Sequence, residues 1–287
     1  MSQRARQGGR GFAIGAVFPV GPGAVERALS AGVARPAHRY HGRMSTHYET
    51  VSPGSPYFDR FGVAPPVDAT ERHLWPRKMG HLIRALPTLT AAATETGAAE
   101  TPAPNGAPAE RELVAAQWGL VPHWVKSASD AKLRAPKLVN AKSETVSTTR
   151  AFHDAWVNGQ RCIVPMAAFY EDDFRSGKAV PTRISRIDGQ PMGVAGVWAR
   201  WSGPQGETIL SYALLTVNAN NHALLHRYQQ PGSEKRMPVV LNEGAYGAWL
   251  TVRMEKAKEF MRAYPANWLT ANPVETRADK VPKGLLA

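Results

Sequence analysis

Four short constellations in the sequence hold side chains able to do chemistry. The run Arg161-Cys162-Ile163-Val164-Pro165-Met166-Ala167-Ala168-Phe169-Tyr170-Glu171 reads as a buried strand that delivers a carboxylate at its end. A Glu leaving an apolar run loses water around its charge, which raises its pKa and suits it to proton transfer near neutral pH. Cys162 reads as an inert core thiol, because apolar surroundings suppress the reactive thiolate. Asn140-Ala141-Lys142-Ser143-Glu144 reads in two ways. It is either a loop that orients a substrate and meets phosphate through Lys142, or the capping of a helix entrance. In Trp118-Gly119-Leu120-Val121-Pro122-His123-Trp124 two indoles flank a turn set by Gly and Pro. Such rings stack unpaired bases when basic groups lie beside them, or else pack a core beneath the turn. The fourth joins Thr216–His222 and His226 to Lys235-Arg236-Met237-Pro238, a strand, polar loop and return strand bringing a His and an Arg to one surface. Ser129 and Lys132 match a Ser-x-x-Lys nucleophile pattern without its partner motifs. Glu171-Asp172-Asp173 lack the His–carboxylate spacing of a metal site.

Short strands must position these groups. Strand-like runs are Val114–Leu120, Arg161–Val164, Pro181–Ile187, Gly193–Trp198, Ser211–Asn218 and Met237–Leu241. Asp188-Gly189 between two of them is a hairpin signal. Helical spacing covers Thr149–Asn158, where Thr149 can cap and Phe152 and Trp156 lie four apart, then Glu243–Leu250 and Met254–Tyr264. The class is α+β, with a mostly antiparallel sheet that closes partly into a barrel.

Composition narrows the function classes. Of 287 residues, 43% are hydrophobic and eight are Trp, so the chain as a whole is no disordered polymer. One cysteine, Cys162, excludes a disulfide framework and a cysteine-based zinc cage, which fits a cytoplasmic address. No apolar run is long enough to span a membrane. A net charge of +12 favours a polyanionic partner, nucleic acid above all. Half of that charge lies in residues 1–43, where seven Arg face one Glu. This segment reads as a disordered basic leader, or as the product of a start assigned upstream of Met44. A second low-complexity stretch, about residues 87–110, reads as a disordered insertion within one domain spanning 44–287.

Taken together and in order, Trp118–Trp124, Asn140–Glu144, Arg161–Glu171, Ala195–Trp198, Thr216–Asn220 and Arg236–Leu241 resemble the SRAP family, the SOS-response-associated peptidases also described as abasic-site processing proteins. Any one block is weak, while six in register are specific. Met44-Ser45-Thr46-His47-Tyr48-Glu49 looks like the family's start. The resemblance implies a single α+β domain on a barrel-like sheet. It also implies chemistry at a processed N terminus, where a Cys amine and thiol capture the aldehyde of an abasic site in single-stranded DNA. Ser45 stands at the position of that Cys. Asn140 would hold the N-terminal residue and Glu171 would handle protons, with Lys142 in place of the family's Arg at a phosphate. Thr216 and Arg236 would line the DNA path, His47 would join them, and Trp118 and Trp124 would support or stack on bases. The family's active-site His falls at Gln229 in loops of this longer form, with His226 close enough to substitute. The expected function is covalent shielding of abasic sites in the DNA-damage response, with imine-driven strand cleavage and self-cleavage at Met44–Ser45 as further activities. The alternative is a non-catalytic single-stranded DNA-binding relative. A monomer near the nucleoid, without metal or organic cofactor, is expected.

Overall fold

The computed structural model describes residues 46–68, 71–86 and 110–274. The leader, Ser45 and nearly all of the expected insertion lie outside them. Twelve strands form one sheet: β1 Tyr48–Thr50, β2 His73–Leu74, β3 Met79–Ala85, β4 Arg111–Trp118, β5 Asn140–Lys142, β6 Arg161–Asp173, β7 Val180–Arg186, β8 Met192–Ser202, β9 Thr208–Asn218, β10 Arg236–Pro238, β11 Val240–Leu241 and β12 Leu269–Pro273. The helices are short: α1 Phe58–Phe61, α2 Ala128–Arg134, α3 His153–Val157, α4 Tyr246–Thr251 and α5 Met254–Ala257.

Five strands close a barrel. β6 pairs with β8, β8 with β9, β9 with β4 and β4 with β3, and β3 returns to β6 through Ile83 opposite Ile163. All these pairs are antiparallel except β4–β9. The α+β class and mostly antiparallel sheet are as the sequence implied, and the barrel is fully closed. Closure removes the exposed edges through which strands aggregate.

The barrel wall has two buried faces, which explains the long apolar runs. β8 is buried from Met192 through Ala199, and Trp156 of α3 and Trp249 of α4 belong to the same core as its side chains. A strand covered on both sides loses the polar alternation of a half-exposed one. Buried indoles still need a partner for N–H. Trp118, Trp201 and Trp249 donate to the carbonyls of Val139, Val125 and Cys162 at 3.1, 2.7 and 2.9 Å. Two buried phenols, Tyr48 and Tyr212, bond each other at 2.5 Å. Gly80 makes room for them, since a Cβ there would collide with both hydroxyls.

Several sequence expectations need correction. β6 is thirteen residues long and runs through Pro165. That residue falls where the neighbour on one edge of β6 changes from β3, at Ile163, to β1, from Met166. The Asp188-Gly189 turn joins strands that do not pair with each other: β7 and β8 follow one another along the opposite edge of β6. The run Met237–Leu241 divides between β10 on β9 and β11 on β8, with Val239 bonded to both Leu215 and Ala195. Only His153–Val157 of the expected Thr149–Asn158 helix is helical, and the backbone carbonyl of Thr149, not its hydroxyl, closes the entry turn. Met254–Tyr264 breaks after α5 into a 3-10 turn, Lys258–Phe260. Helix α2, which the sequence reading did not include, starts at Ser127, whose hydroxyl accepts from the Asp130 amide.

Candidate active site

Strand register brings the expected residues together. β1 lies antiparallel on β6 with Tyr48 opposite Phe169 and Glu49 opposite Ala168. The Tyr170 amide donates to the His47 carbonyl at 3.1 Å, so the residues that precede β1 lie at the Glu171 end of β6. The Glu171 side chain is buried at the far end of that strand, opposite Thr182 of β7.

The loop before β10 closes on the same end of β6. The Gln229 amide donates to the Asp172 carbonyl at 2.8 Å, and Gln229 holds a positive φ of 67°. Its side chain bonds the Arg236 backbone twice, donating to the carbonyl at 2.6 Å and accepting from the amide at 3.1 Å. Lys235 Nζ donates to the carbonyls of Gln230 and Gln229 at 2.6 and 3.2 Å. Burial lowers the pKa of the Lys235 ammonium against the opposing charge of Glu171. Gln229, not His226, is therefore the loop residue tied to the Glu171 strand. His226 lies exposed on a 3-10 turn, Leu225–Arg227, with Nδ1 2.7 Å from the His222 carbonyl oxygen.

A second group forms around β9. β5 runs parallel to β9, with Asn140 opposite Leu214 and Lys142 opposite Thr216, and β10 runs antiparallel on it, with Arg236 opposite Asn218. Asn140–Lys142 is thus a strand, so the helix-entrance reading of this motif fails. Arg236 is buried beneath the surface. Its guanidinium makes a two-pronged pair with Glu144 at 2.7 and 3.1 Å, a third contact with Glu234 at 2.7 Å, and donates to the Thr216 carbonyl at 2.7 Å. Thr216 is also buried, its hydroxyl donating to the Ala141 carbonyl at 3.2 Å. Thr216 therefore underlies the surface and Arg236 meets it only where Nη1 bonds the partly exposed Glu234, while Lys142 is exposed and bonded to Glu234 at 2.5 Å. Burial raises the Glu144 pKa, but hydrogen bonds from Arg236 outweigh it and hold the carboxyl below the ordinary range. Hydrogen bonds from Lys142 and then Arg236 hold Glu234 down at about 2.

The two tryptophans also need correction. Trp118 is fully buried and presents no face to a base, and at Gly119, which follows it, a Cβ would strike the Ala135 carbonyl. Trp124 is half-buried, and the guanidiniums of Arg134 and Arg150 lie over its ring at 5.0 and 4.7 Å. In this arrangement it stacks cations. Ser129 bonds the Ser127 hydroxyl at 3.0 Å, an arrangement of the α2 entrance.

His47, expected at the DNA path, sits in an aromatic and charged cluster at the start of β1 whose other members the sequence does not point to. His47 is stacked between Trp75 and Tyr170, with ring centroids 4.1 and 4.0 Å away and planes 9° apart in both cases. Its Nε2 lies 3.0 Å from Nδ1 of His73. Glu49 accepts from Arg72 at 2.8 Å and from Arg183 at 2.7 Å. The available signal was period-two placement of His73 and Trp75, on one face of β2 and its extension. Among the described residues no three His, Cys, Asp or Glu side chains cluster as metal ligands. No described helix is long and apolar enough to cross a membrane.

The description SOS response associated peptidase (SRAP) matches residues 66–281, and the chain belongs to that family. It is 30% identical over 135 residues to the abasic site processing protein YoqW of Bacillus subtilis, covering 47% of this chain and 55% of that one. Over 194 residues it is 28% identical to the abasic site processing protein HMCES of Gallus gallus, covering 60% and 55% of the two chains. The chain thus spans about half the length of these curated relatives. A crystal structure of a Bordetella bronchiseptica protein, 37% identical, superposes with a TM-score of 0.68 over 80% of this chain and all of that one. A Bacteroides thetaiotaomicron protein, 19% identical, shares the fold with a TM-score of 0.62, over 80% of this chain and 92% of that one.

Proposed function

We propose that this protein binds single-stranded DNA and reacts with abasic sites through the amine of Ser45, once that residue is the N terminus. The observation that carries the reading is the β1–β6 register, which sets the N-terminal side of β1 at the Glu171 end of β6. Family membership and the names of the relatives support it. An α-amine of pKa about 8 is partly unprotonated at neutral pH, where a free Lys of pKa about 10.4 is almost wholly charged. The amine nitrogen adds to the aldehyde carbon of the ring-opened abasic sugar, giving a carbinolamine that loses water to form an imine. Addition of the Ser45 hydroxyl to the imine carbon, with its proton passing to nitrogen, closes an oxazolidine. Proton loss from the neighbouring sugar carbon instead expels the 3′ phosphate and cleaves the strand. Glu171 serves as the group that takes and returns protons in these steps, and Asn140 as the group that holds the amine.

The test is a denaturing gel of the chain beginning at Ser45, incubated without reductant with single-stranded DNA carrying one abasic site. A retarded band that survives heating is the expected result, and a chain retaining residues 1–44 should give none. Glu171→Gln should form the adduct more slowly by roughly a hundredfold or more, the range of general acid–base effects. An unchanged rate removes the role given to Glu171. Binding of the same DNA without any band, trapped or untrapped by borohydride, would make the protein a non-catalytic DNA-binding relative, a reading that the glutamine at position 229 favours.

A further inference from the structure

Lys142, Asn218 and Arg236 converge on one carboxylate, and it belongs to this chain. Glu234 accepts from Lys142 Nζ at 2.5 Å, from Arg236 Nη1 at 2.7 Å and from Asn218 Nδ2 at 3.1 Å. An ammonium, a guanidinium and an amide that grip two carboxylate oxygens can grip two oxygens of a phosphodiester equally well. The loop carrying Glu234 is held on both sides of it. The Ser233 amide donates to the Gln230 carbonyl at 3.1 Å, the Lys235 amide donates to Asn220 Oδ1 at 2.7 Å, and the Ala219 amide donates to the Lys235 carbonyl at 2.8 Å. Glu234 is thereby presented to its donors, and its side chain, 37% exposed, has solvent into which it can swing.

Charge makes the arrangement consequential. Lys142 and Arg236 face Glu144 and Glu234, two cations against two carboxylates. The patch is electrically neutral while Glu234 occupies it. Glu144 grips Arg236 from another loop and touches neither Lys142 nor Asn218 in any bond of the cluster, so Glu234 is the member whose departure opens the seat.

We propose that Glu234 is a built-in competitor for the DNA backbone: it fills a phosphodiester seat made by Lys142, Asn218 and Arg236, and it sets the affinity for single-stranded DNA by having to leave. This rests on the DNA-binding reading above and adds its regulation. Because a phosphate replaces an anion already present, binding at this seat releases little additional charge in the native protein. Removing the carboxylate charge leaves one uncompensated positive charge for the phosphate to neutralise.

The test measures fluorescence anisotropy of a labelled, lesion-free oligothymidine against the full chain over a range of salt concentrations. Glu234→Gln should bind roughly three- to tenfold more tightly at low salt, with a log–log salt slope steeper by about 0.7, the value for one further single-strand phosphate contact. Lys142→Met should weaken binding in the native background and should abolish the gain in the Glu234→Gln background. Glu234→Ala repeats the measurement with no amide left to fill the seat, and melting curves confirm that each variant is folded. If the native protein binds and both Glu234 variants bind with the same affinity and slope, the proposal is overturned while the DNA-binding reading stands. If neither native protein nor variants bind the oligonucleotide, the DNA-binding reading fails and the competitor role fails with it.

Discussion

Glu49→Gln tests whether the cluster at the start of β1 anchors that strand. The Glu49 side chain is 7% exposed and accepts from Arg183 Nε at 2.7 Å, Arg72 Nε at 2.8 Å and the Tyr170 hydroxyl at 3.3 Å. Burial raises its pKa, but the hydrogen bonds and charges of Arg183 and Arg72 outweigh burial and leave the carboxyl below its ordinary value. Gln keeps the shape and removes the charge. Arg72 is 75% exposed, so its pair contributes at most about 1 kcal/mol. Arg183 is one-third exposed, and its charge-assisted bond contributes about 1–2 kcal/mol. The expected loss is about 2 kcal/mol at pH 7, which lowers Tm by roughly 4–8 °C in a domain of this size. A carboxylate whose folded pKa is depressed contributes stability that is complete above the unfolded pKa and is lost as pH falls through the folded one. The native-minus-variant difference should therefore hold steady above about pH 5 and shrink below it. Urea and thermal melts at pH 7 and at successively lower pH measure this. A difference under about 0.5 kcal/mol at pH 7, or one that does not change down to pH 3, refutes the anchoring argument.

Substitutions at two other places examine the interior. Tyr48→Phe leaves the buried Tyr212 hydroxyl without its 2.5 Å partner and should cost about 1–3 kcal/mol, whereas Tyr48→Phe with Tyr212→Phe should cost less than the two single losses added together. Denaturant melts of the three variants decide it, and simple additivity counts against the paired-hydroxyl account. Arg161, 2% exposed, lies over Trp156 and Trp249, and its Nε and Nη2 have no hydrogen-bond partner among the described residues. Burial pushes its pKa down to about 10. Arg161→Met should leave stability unchanged or raise it by up to about 2 kcal/mol, since an apolar side chain of similar volume escapes the desolvation cost. A clear loss in urea melts would instead assign the net advantage to the indole contacts.

The barrel was legible where a strand is long and buried on both faces, as along β8 and β9, because composition alone marks such a run. It was illegible where pairing is local and short. β5 is three residues of mixed polarity, and its strand character comes from lying parallel to Leu214–Thr216 of β9. Nothing in Asn140-Ala141-Lys142 encodes that neighbour. The site followed the same division. The family resemblance, not spacing, brought Lys142 together with Thr216 and Arg236, and strand register sets Lys142 opposite Thr216 and Arg236 opposite Asn218 on the same strand. What spacing could not supply was depth. Trp118, Thr216 and Arg236 are residue types that bind nucleic acid when exposed, and all three are buried here. Nor could spacing find Glu234 against Lys142, a pair separated by 92 positions.

Depth changes what a substitution at Arg236 can mean. Its guanidinium joins Glu144, on the loop after β5, to Glu234, on the loop before β10, across Thr216 of the strand between them. Deleting it leaves a half-exposed Glu144 and a partly exposed Glu234 that water can rescue, but it also takes one of two donors from the buried Thr216 carbonyl, which keeps the Ser143 amide, and the donors from its hydroxyl. The second loss is the costlier one, because water does not reach a buried oxygen to replace a lost donor. A fall in DNA affinity on losing Arg236 therefore mixes a slackened β5–β9–β10 layer with a missing charge. Lys142 is free of that ambiguity. Its ammonium is exposed, its only hydrogen bond in the cluster is to Glu234, and its removal alters the surface charge without withdrawing a donor from the core. Lys142 and Glu234, at the surface, are thus where the electrostatics of this site can be separated from its architecture.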